Sequence, residues 1–317
     1  MQTRWKRAGI IVIAALAFVT VGAYGLLDHY KTELYHGALS LQQDNARLQA
    51  RRAQAAGFDW AYLENDQRGI KPTLLMVHGF GASKENWLDL AAVLKDDYHT
   101  VLVDLPGHGE TNFDPALHYD LDEQVERLHQ FLATIGLTSF HMIGNSMGGA
   151  ITAFYAATYP AQVQSAVLLN PGGITDVKSE YNKFLDQGQN PLIVEDEDDF
   201  DFLVQFAMEQ RPFIPWPISA VSTEKMRQRK DINAHIFADI IGAHRYDFKA
   251  VIAQISAPTL VVWGKEDRVL AAGNATEFQR LIPGSQVALL EDVGHAPMLE
   301  IPQQCADMVR NFTQTSL

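Results

Sequence analysis

The residues Gly144-Asn145-Ser146-Met147-Gly148-Gly149 carry the clearest chemical signal in the sequence. They fit the pattern G-x-S-x-G, and they join a short apolar run, Phe140–Gly144, to a helical pattern, Met147–Tyr159. A strand that turns at once into a helix holds its serine in a strained conformation, and larger flanking side chains would collide. The pattern therefore predicts that the Ser146 hydroxyl stands above a sheet as a nucleophile.

A serine hydroxyl needs a general base at neutral pH, and in this arrangement the partners follow the serine in the order acid, then histidine. His295 lies in a loop just after the apolar run Gln286–Leu290, and Asp267 follows an earlier run of the same kind. We expect His295 to take the Ser146 proton and Asp267 to fix the imidazole tautomer and stabilise the imidazolium. Glu266, next to Asp267, is the competing acid.

The oxyanion that would form during acyl transfer needs two N–H donors. Met147 is placed at the start of a helix, where the helix dipole favours negative charge. The second donor should come from the loop His78-Gly79-Phe80-Gly81, and position favours the N–H of Phe80. In this interpretation His78 is a structural, hydrogen-bonded residue, and the Phe80 ring lies near the acyl pocket.

The composition argues against several other kinds of chemistry. The chain has 25 basic and 38 acidic residues, so its net charge of 25 − 38 = −13 disfavours nucleic acid as a partner. No Walker A or H-E-x-x-H motif occurs, and the acidic run Glu195–Asp201 lacks the spacing and glycine of a calcium loop. We therefore expect neither a cofactor nor a metal. The single cysteine, Cys305, is expected to be an inert packing residue.

Residues 1–27, at the N-terminus, are predicted to form a membrane anchor. Ala8–Leu27 carries no charge and is long enough to cross a bilayer as a helix, while three basic residues precede it. The positive charge places the N-terminus in the cytoplasm and the catalytic domain on the other side, the periplasm in a bacterium. A cleaved signal peptide is the competing interpretation, but no clear cleavage site follows. Leucines every seven residues predict a helical stalk over residues 28–57.

Beyond the stalk, short apolar runs alternate with helical stretches. Buried strands that alternate with helices indicate an α/β fold, a mostly parallel sheet flanked by helices. We assign residues 58–170 and 251–317 to this core. The alternation of strands and helices stops over residues 171–250. These residues are predicted to form a mainly helical cap over the carboxyl ends of the strands, where open α/β sheets bind ligands.

As a set, these motifs resemble the α/β-hydrolase superfamily. The segments occur in the order HGFG, DLPGHG, GNSMGG, GKED and GH. With the anchor and the run RPFIPWPI, the chain is similar to membrane-anchored monoacylglycerol lipases and to cold-adapted bacterial lipases. The resemblance implies hydrolysis of medium-to-long acyl esters without a cofactor, by Ser146, Asp267 and His295, with Phe80 and Met147 as oxyanion donors. The animal members of this group place the catalytic domain on the cytosolic face, the opposite of what the flanking charges predict.

Two alternatives remain at this point. GNSMGG also resembles the elbow of carbon–carbon bond hydrolases that cleave ring-fission products with the same triad, although those usually carry a Gly-Pro oxyanion loop. A non-catalytic binding protein on the same fold is the alternative from another class. Such a protein would typically lack a triad residue, whereas all three types are present here.

Overall fold

A computed structural model describes residues 25–242 and 246–315 of the chain. Its centre is a sheet of eight strands in the order β1-β2-β4-β3-β5-β6-β7-β8. The strands β3 to β8 run parallel to one another, while β2 runs antiparallel to both β1 and β4. The strands are β1 Leu48–Ala55, β2 Phe58–Asn65, β3 Thr73–Val77, β4 His99–Val103, β5 Phe140–Asn145, β6 Val163–Leu169, β7 Thr259–Gly264 and β8 Gln286–Leu290.

Helices cover both faces of this sheet, so its inner strands are buried on both sides and read as continuous apolar runs. Trp60 and Trp263 belong to the core on one face, and Leu74 and Val262 to the core on the other. The helices are α1 Lys31–Asn45, α2 Leu88–Leu94, α3 Leu121–Thr134, α4 Met147–Thr158, α5 Glu180–Leu185, α6 Glu197–Ala207, α7 Trp216–Gln228, α8 Lys230–Ile241, α9 Phe248–Ile252, α10 Ala275–Leu281, α11 Pro297–Glu300 and α12 Pro302–Thr315. The expected α/β fold, a mostly parallel sheet flanked by helices, is confirmed.

The predicted helical stalk over residues 28–57 differs from the structure in its second half. Helix α1 occupies Lys31–Asn45, but Leu48–Ala55 forms β1 and pairs with β2 along its whole length. Ala56 and Gly57, which join the two strands, both have positive φ, as a two-residue hairpin turn requires. An edge strand tolerates the polar residues of this segment because one of its faces meets solvent. The seven-residue leucine spacing therefore predicted the helix Lys31–Asn45 correctly, but the helix does not continue over Leu48–Ala55.

Between β6 and β7 the structure contains the helices α5 to α9 and no strand among the described residues. The acidic run contributes to one of these helices, since the Asp196 side chain accepts the N–H of Asp199 at the N-terminus of α6. Carboxylates in a first helical turn are favoured by the helix dipole, so this run has a local structural explanation.

The predicted membrane anchor lies almost wholly outside the described residues, which begin at Gly25. Within the part of the chain that the structure describes, no helix combines the length and apolar character needed to span a bilayer. The described N-terminal helix α1 lies beside the cap helix α7, where the Lys225 ammonium stands 4.7 Å from the centre of the Tyr35 ring.

Candidate active site

Ser146 lies at the turn between β5 and α4, at the carboxyl edge of the sheet. Its backbone has φ 56° and ψ −119°, a conformation that a residue with a side chain rarely adopts. The surrounding structure fixes this strained turn: the Ser146 N–H donates to Leu169 O at 3.0 Å, and Gly172 N–H donates to Ser146 O at 2.8 Å. Strain of this kind persists only where neighbouring contacts enforce it, and it marks functional positions.

The glycines around Ser146 are required by close backbone contacts. A Cβ on Gly144 would lie 2.1 Å from the carbonyl oxygen of Gly148, and one on Gly148 would lie 2.2 Å from that of Val77. Real Cβ atoms do not approach backbone oxygens so closely, so any other residue would displace the strand or the helix. The G-x-S-x-G pattern was thus interpreted correctly as a steric requirement.

His295 and Asp267 are directly hydrogen-bonded, as the sequence predicted that they would be. His295 Nδ1 donates to Asp267 Oδ2 at 2.8 Å, and both residues are buried. With Nδ1 bound to the carboxylate, Nε2 is the nitrogen left for proton transfer. The competing acid, Glu266, instead accepts the Val293 N–H at 3.0 Å.

The Asp267 carboxylate is held by donors on both oxygens. Oδ1 accepts the backbone N–H groups of Val269 and Leu270 at 2.8 and 2.9 Å. Oδ2 accepts Asn170 Nδ2 at 2.7 Å and Trp263 Nε1 at 3.1 Å, in addition to His295. These hydrogen bonds fix the position of the carboxylate, so it is suited to orient the imidazole.

Two asparagines connect the serine turn with the histidine loop. Asn145, which precedes Ser146, donates to the backbone oxygen of His295 at 2.9 Å. Asn170, at the end of β6, bridges Asp267 and the Gly294 oxygen, the latter at 3.1 Å. The sequence analysis did not assign a role to either side chain. Their position at the carboxyl end of a central strand was the available signal.

The loop with Phe80 lies beside Ser146. A Cβ built on Gly79 would stand 3.1 Å from the Ser146 Cβ, so the chain passes very close to Ser146 there. Met147 is the first residue of α4, and its side chain is buried. Met147 thus follows Ser146 directly in the chain, and the loop that carries Phe80 passes beside Ser146 at Gly79.

His78 holds this loop and has no exposed surface. Its Nδ1 donates to Gly79 O at 2.7 Å, while its Nε2 accepts the Leu105 N–H at 3.1 Å. Burial lowers the pKa of His78 to about 4, so the ring is neutral and can accept that N–H at neutral pH. This agrees with the structural role expected for His78.

A buried ion pair holds the far end of the same loop, and the sequence analysis did not identify it. Lys84 Nζ lies 2.7 Å from Asp104 Oδ2, and the two side chains are 3% and 0% exposed. The Asp104 carboxylate also accepts the N–H groups of Lys84 and Glu110 at 2.7 and 2.8 Å. A Cβ on Gly109 would collide with this carboxylate, which explains one glycine of DLPGHG.

Helix α8 of the cap lies over these loops. The Phe237 ring stands 5.5 Å from the Phe80 ring, centre to centre, and Asn233 lies against Gly81. Ile236 is fully buried and packs on Gly107. Helix α8 therefore covers these loops with the apolar side chains of Ile236 and Phe237.

The chain is similar in sequence to known proteins. The family described as alpha/beta hydrolase fold matches residues 72–302. Lipase 1 of Psychrobacter immobilis is 36% identical over 262 residues, which cover 81% of each chain. Monoacylglycerol lipase ABHD6 of Homo sapiens is 31% identical over 278 residues, which cover 84% of this chain and 82% of the human protein.

A solved structure is similar over nearly the whole chain. The crystal structure of a membrane phospholipase A, described as a bacterial virulence factor, superposes with a TM-score of 0.88 and 35% sequence identity. The superposition covers 96% of this chain and 98% of the phospholipase.

Proposed function

Because the chain belongs to the alpha/beta-hydrolase fold family, we propose that Ser146, His295 and Asp267 hydrolyse the esters of medium-to-long fatty acids. The chain is a carboxylic ester hydrolase of the lipase and esterase type. The observation that most supports the triad is the 2.8 Å hydrogen bond between His295 Nδ1 and Asp267 Oδ2, at the same sheet edge as the strained Ser146.

The proposed reaction begins when Ser146 Oγ attacks the ester carbonyl carbon and its proton moves to His295 Nε2. The carbonyl oxygen becomes an oxyanion, which accepts the N–H groups of Phe80 and Met147. Asp267 stabilises the imidazolium that forms. When the tetrahedral intermediate collapses, the ester C–O bond breaks and His295 gives the proton to the leaving alcohol.

An acyl-enzyme on Ser146 remains. Water then transfers a proton to His295 and attacks the acyl carbon, and the second intermediate is stabilised by the same N–H donors. Collapse of this intermediate releases the fatty acid and returns the proton to Ser146 Oγ. The cycle consumes one water and regenerates the enzyme.

Monoacylglycerols and other fatty acyl esters are the proposed substrates. The names of the relatives support this class, since one is a lipase and another a monoacylglycerol lipase. The aromatic wall formed by Phe80 and Phe237 supports it physically, because it offers an apolar surface to an acyl chain.

The proposal is tested by a hydrolysis profile on acyl esters from short to long chains and on monoacylglycerol. Ser146→Ala should lower kcat by about 10⁴-fold or more, because removing the nucleophile leaves only binding and oxyanion stabilisation. Near wild-type turnover by Ser146→Ala would reject the triad and place catalysis at a different site. Absence of turnover of every ester by the wild type would instead favour the non-catalytic binding protein. Turnover of a vinylogous diketone but of no ester would instead favour the carbon–carbon hydrolase.

We also propose that residues 1–27 anchor the chain in a membrane. In the domain organisation that we propose, residues 58–170 and 251–317 form the hydrolase core and residues 171–250 form the cap. The exposed Phe213, 91% accessible on the cap, supports contact with a lipid surface. We place the catalytic domain on the non-cytoplasmic side, as the basic N-terminal flank indicates.

Deleting residues 1–27 tests the interfacial part of this proposal. The truncated enzyme should lose monoacylglycerol turnover in vesicles while its turnover of a dissolved short-chain ester stays near that of the full chain. An equal loss on both substrates would show that the anchor does not deliver lipid substrate. Accessibility of a single engineered cysteine to a membrane-impermeant reagent would then decide which face carries the domain.

A further inference from the structure

Glu300 is a buried carboxylate that the proposed mechanism does not use. It lies at the end of the short helix α11, five residues after His295, and is 9% exposed. Burying a charge is unfavourable unless hydrogen bonds replace the lost water. The partners of this carboxylate therefore indicate what it does.

The first set of partners flanks the proposed catalytic base. The Gly294 N–H donates to both carboxylate oxygens, at 3.1 and 2.9 Å, and the Ala296 N–H donates to Oε1 at 3.1 Å. These two amides are the neighbours of His295 on either side. Glu300 thus holds the backbone that carries the imidazole.

The second set of partners belongs to the cap. The N–H groups of Glu209 and Gln210, just beyond the end of α6, donate to Glu300 Oε2 at 2.8 and 2.9 Å. The last residue of α6, Ala207, accepts the His295 N–H through its backbone oxygen at 2.6 Å. The histidine loop and this end of the cap therefore share one set of hydrogen bonds.

A carboxylate suits this position better than an amide does. Four backbone N–H groups converge on two oxygens, and an ionised carboxylate offers acceptor sites on both. A glutamine would turn an NH₂ group toward some of these donors and leave them without an acceptor. Buried donors that lose their partner are destabilised, so the loop would shift to pair them elsewhere.

We propose that Glu300 is a positioning residue that joins the His295 loop to the C-terminal end of α6, so that the base is aligned only while this end of the cap is in place. The proposal rests on the proposed role of His295 in ester hydrolysis. It assigns Glu300 no contact with substrate. Displacement of the cap at Glu209 and Gln210 would release the loop and move His295 away from Ser146.

Glu300→Gln tests the proposal, with Glu266→Gln as the matched control. Glu266 is a nearby carboxylate that accepts one N–H of the same loop, that of Val293, which an amide oxygen can also accept. For a dissolved short-chain ester, Glu300→Gln should lower kcat by about 10- to 100-fold and change KM by less than about 3-fold, since a misplacement near 1 Å has effects of this size. Glu266→Gln should stay within about 3-fold of wild type.

Two further measurements separate positioning from a general loss of stability. The rate of Ser146 modification by a fluorophosphonate should fall by the same factor as kcat in Glu300→Gln. Amide hydrogen exchange over residues 207–210 should become faster in that variant and stay unchanged in Glu266→Gln. Glu300→Asp retains the charge with a shorter reach, so its kcat should lie between those of the wild type and Glu300→Gln.

Wild-type kcat in a folded Glu300→Gln, or unchanged exchange over residues 207–210, would overturn the proposal. Equal losses in the Glu300→Gln and Glu266→Gln variants would also overturn it. The exchange measurement does not depend on turnover. If Ser146→Ala left ester hydrolysis intact, the proposed function would fail while the link between loop and cap would still be measured directly.

Discussion

The serine turn and the cap meet at the same edge of the sheet, but they are built differently. Around Ser146, backbone approaches backbone so closely that a Cβ on Gly148 would stand 2.2 Å from Val77 O. In the cap, the buried cluster comprises only Tyr181, Phe206, Ala207 and, from the core, Val269 among the described residues. Many of the cap's contacts are instead made to loops of the core, such as that of Ile236 with Gly107.

We infer from this difference in packing that the serine turn determines the rate of catalysis and that the cap determines substrate selectivity. A rigid turn holds Ser146, the proposed nucleophile, within the small tolerance that catalysis requires. A cap with a small core of its own can change its lining without disturbing the sheet, and loosely packed elements open more readily. We therefore expect substitutions in the loops of the core to affect folding and kcat, and substitutions in the cap to affect substrate preference.

The largest difference in unfolding free energy between the two regions should appear when one lysine is replaced in each of them. Lys84→Met leaves the buried Asp104 without its ammonium partner, and we expect a loss of about 3–5 kcal/mol in unfolding free energy. The matched cap variant, Lys230→Met, breaks an ion pair with Glu195 whose side chains are 42% and 60% exposed, and should lose about 1 kcal/mol or less. Urea unfolding followed by tryptophan fluorescence measures both, and equal losses would contradict the comparison.

A methyl group added to a glycine in each region should have the next largest effect. Gly148→Ala forces the new Cβ against backbone oxygens, and we expect a loss of about 3 kcal/mol together with the loss of most ester hydrolysis. In Gly188→Ala, in the cap, the new Cβ has no neighbour within 4 Å, and the only cost is backbone strain at a positive φ of 74°. We expect a loss of about 1–2 kcal/mol in unfolding free energy. Thermal unfolding and kcat of both variants test this. Wild-type activity in Gly148→Ala would show that the turn tolerates more than the structure indicates.

Acid should destabilise the core through His78. Burial holds the pKa of His78 near 4, below its ordinary value of 6.5, so between these pH values the unfolded chain binds a proton that the folded chain does not. Stability therefore falls as the pH drops through this window, by about 2 kcal/mol at pH 5 from this residue alone. Asp104, whose pKa is raised to about 6 by burial, contributes in the opposite direction over this range, so urea midpoints at pH 7 and pH 5 are compared between wild type and His78→Gln. His78→Gln should show a smaller difference between the two pH values, and an identical difference would exclude His78 as its source.

The smallest effect on stability is expected at the cap wall. Phe237→Leu removes part of the aromatic surface facing Phe80 and should change unfolding free energy by less than about 1.5 kcal/mol. The ratio of kcat/KM for long and short acyl esters should nevertheless change by about 10-fold, since a change of pocket volume is worth 1–3 kcal/mol in discrimination. Phe202→Leu, a 40% exposed aromatic of the cap, is the control and should leave the ratio unchanged. A larger change in Phe202→Leu than in Phe237→Leu would place the acyl chain elsewhere.

The elements with strong local patterns could be predicted from the sequence. Central strands such as β5 and β7 are buried on both faces and read as apolar runs, and the turn at Ser146 requires glycines whatever surrounds it. The pairing of His295 with Asp267 followed from the order of residues along a parallel sheet, because the carboxyl ends of such strands meet at one edge. The edge strand β1 was missed, since its polar residues resemble those of a surface helix.

The amino-acid sequence by itself determined the type of fold, the strained turn at Ser146, the pairing of His295 with Asp267, and the approximate place of the cap. These features follow from the spacing of apolar residues along the chain and from steric limits that act over a few residues. Only the tertiary structure decided that Asn145 and Asn170 bind the histidine loop, that Lys84 pairs with Asp104, and that Glu300 joins that loop to the cap. Such contacts join segments far apart in the chain, and no local pattern encodes which buried donor will meet which acceptor.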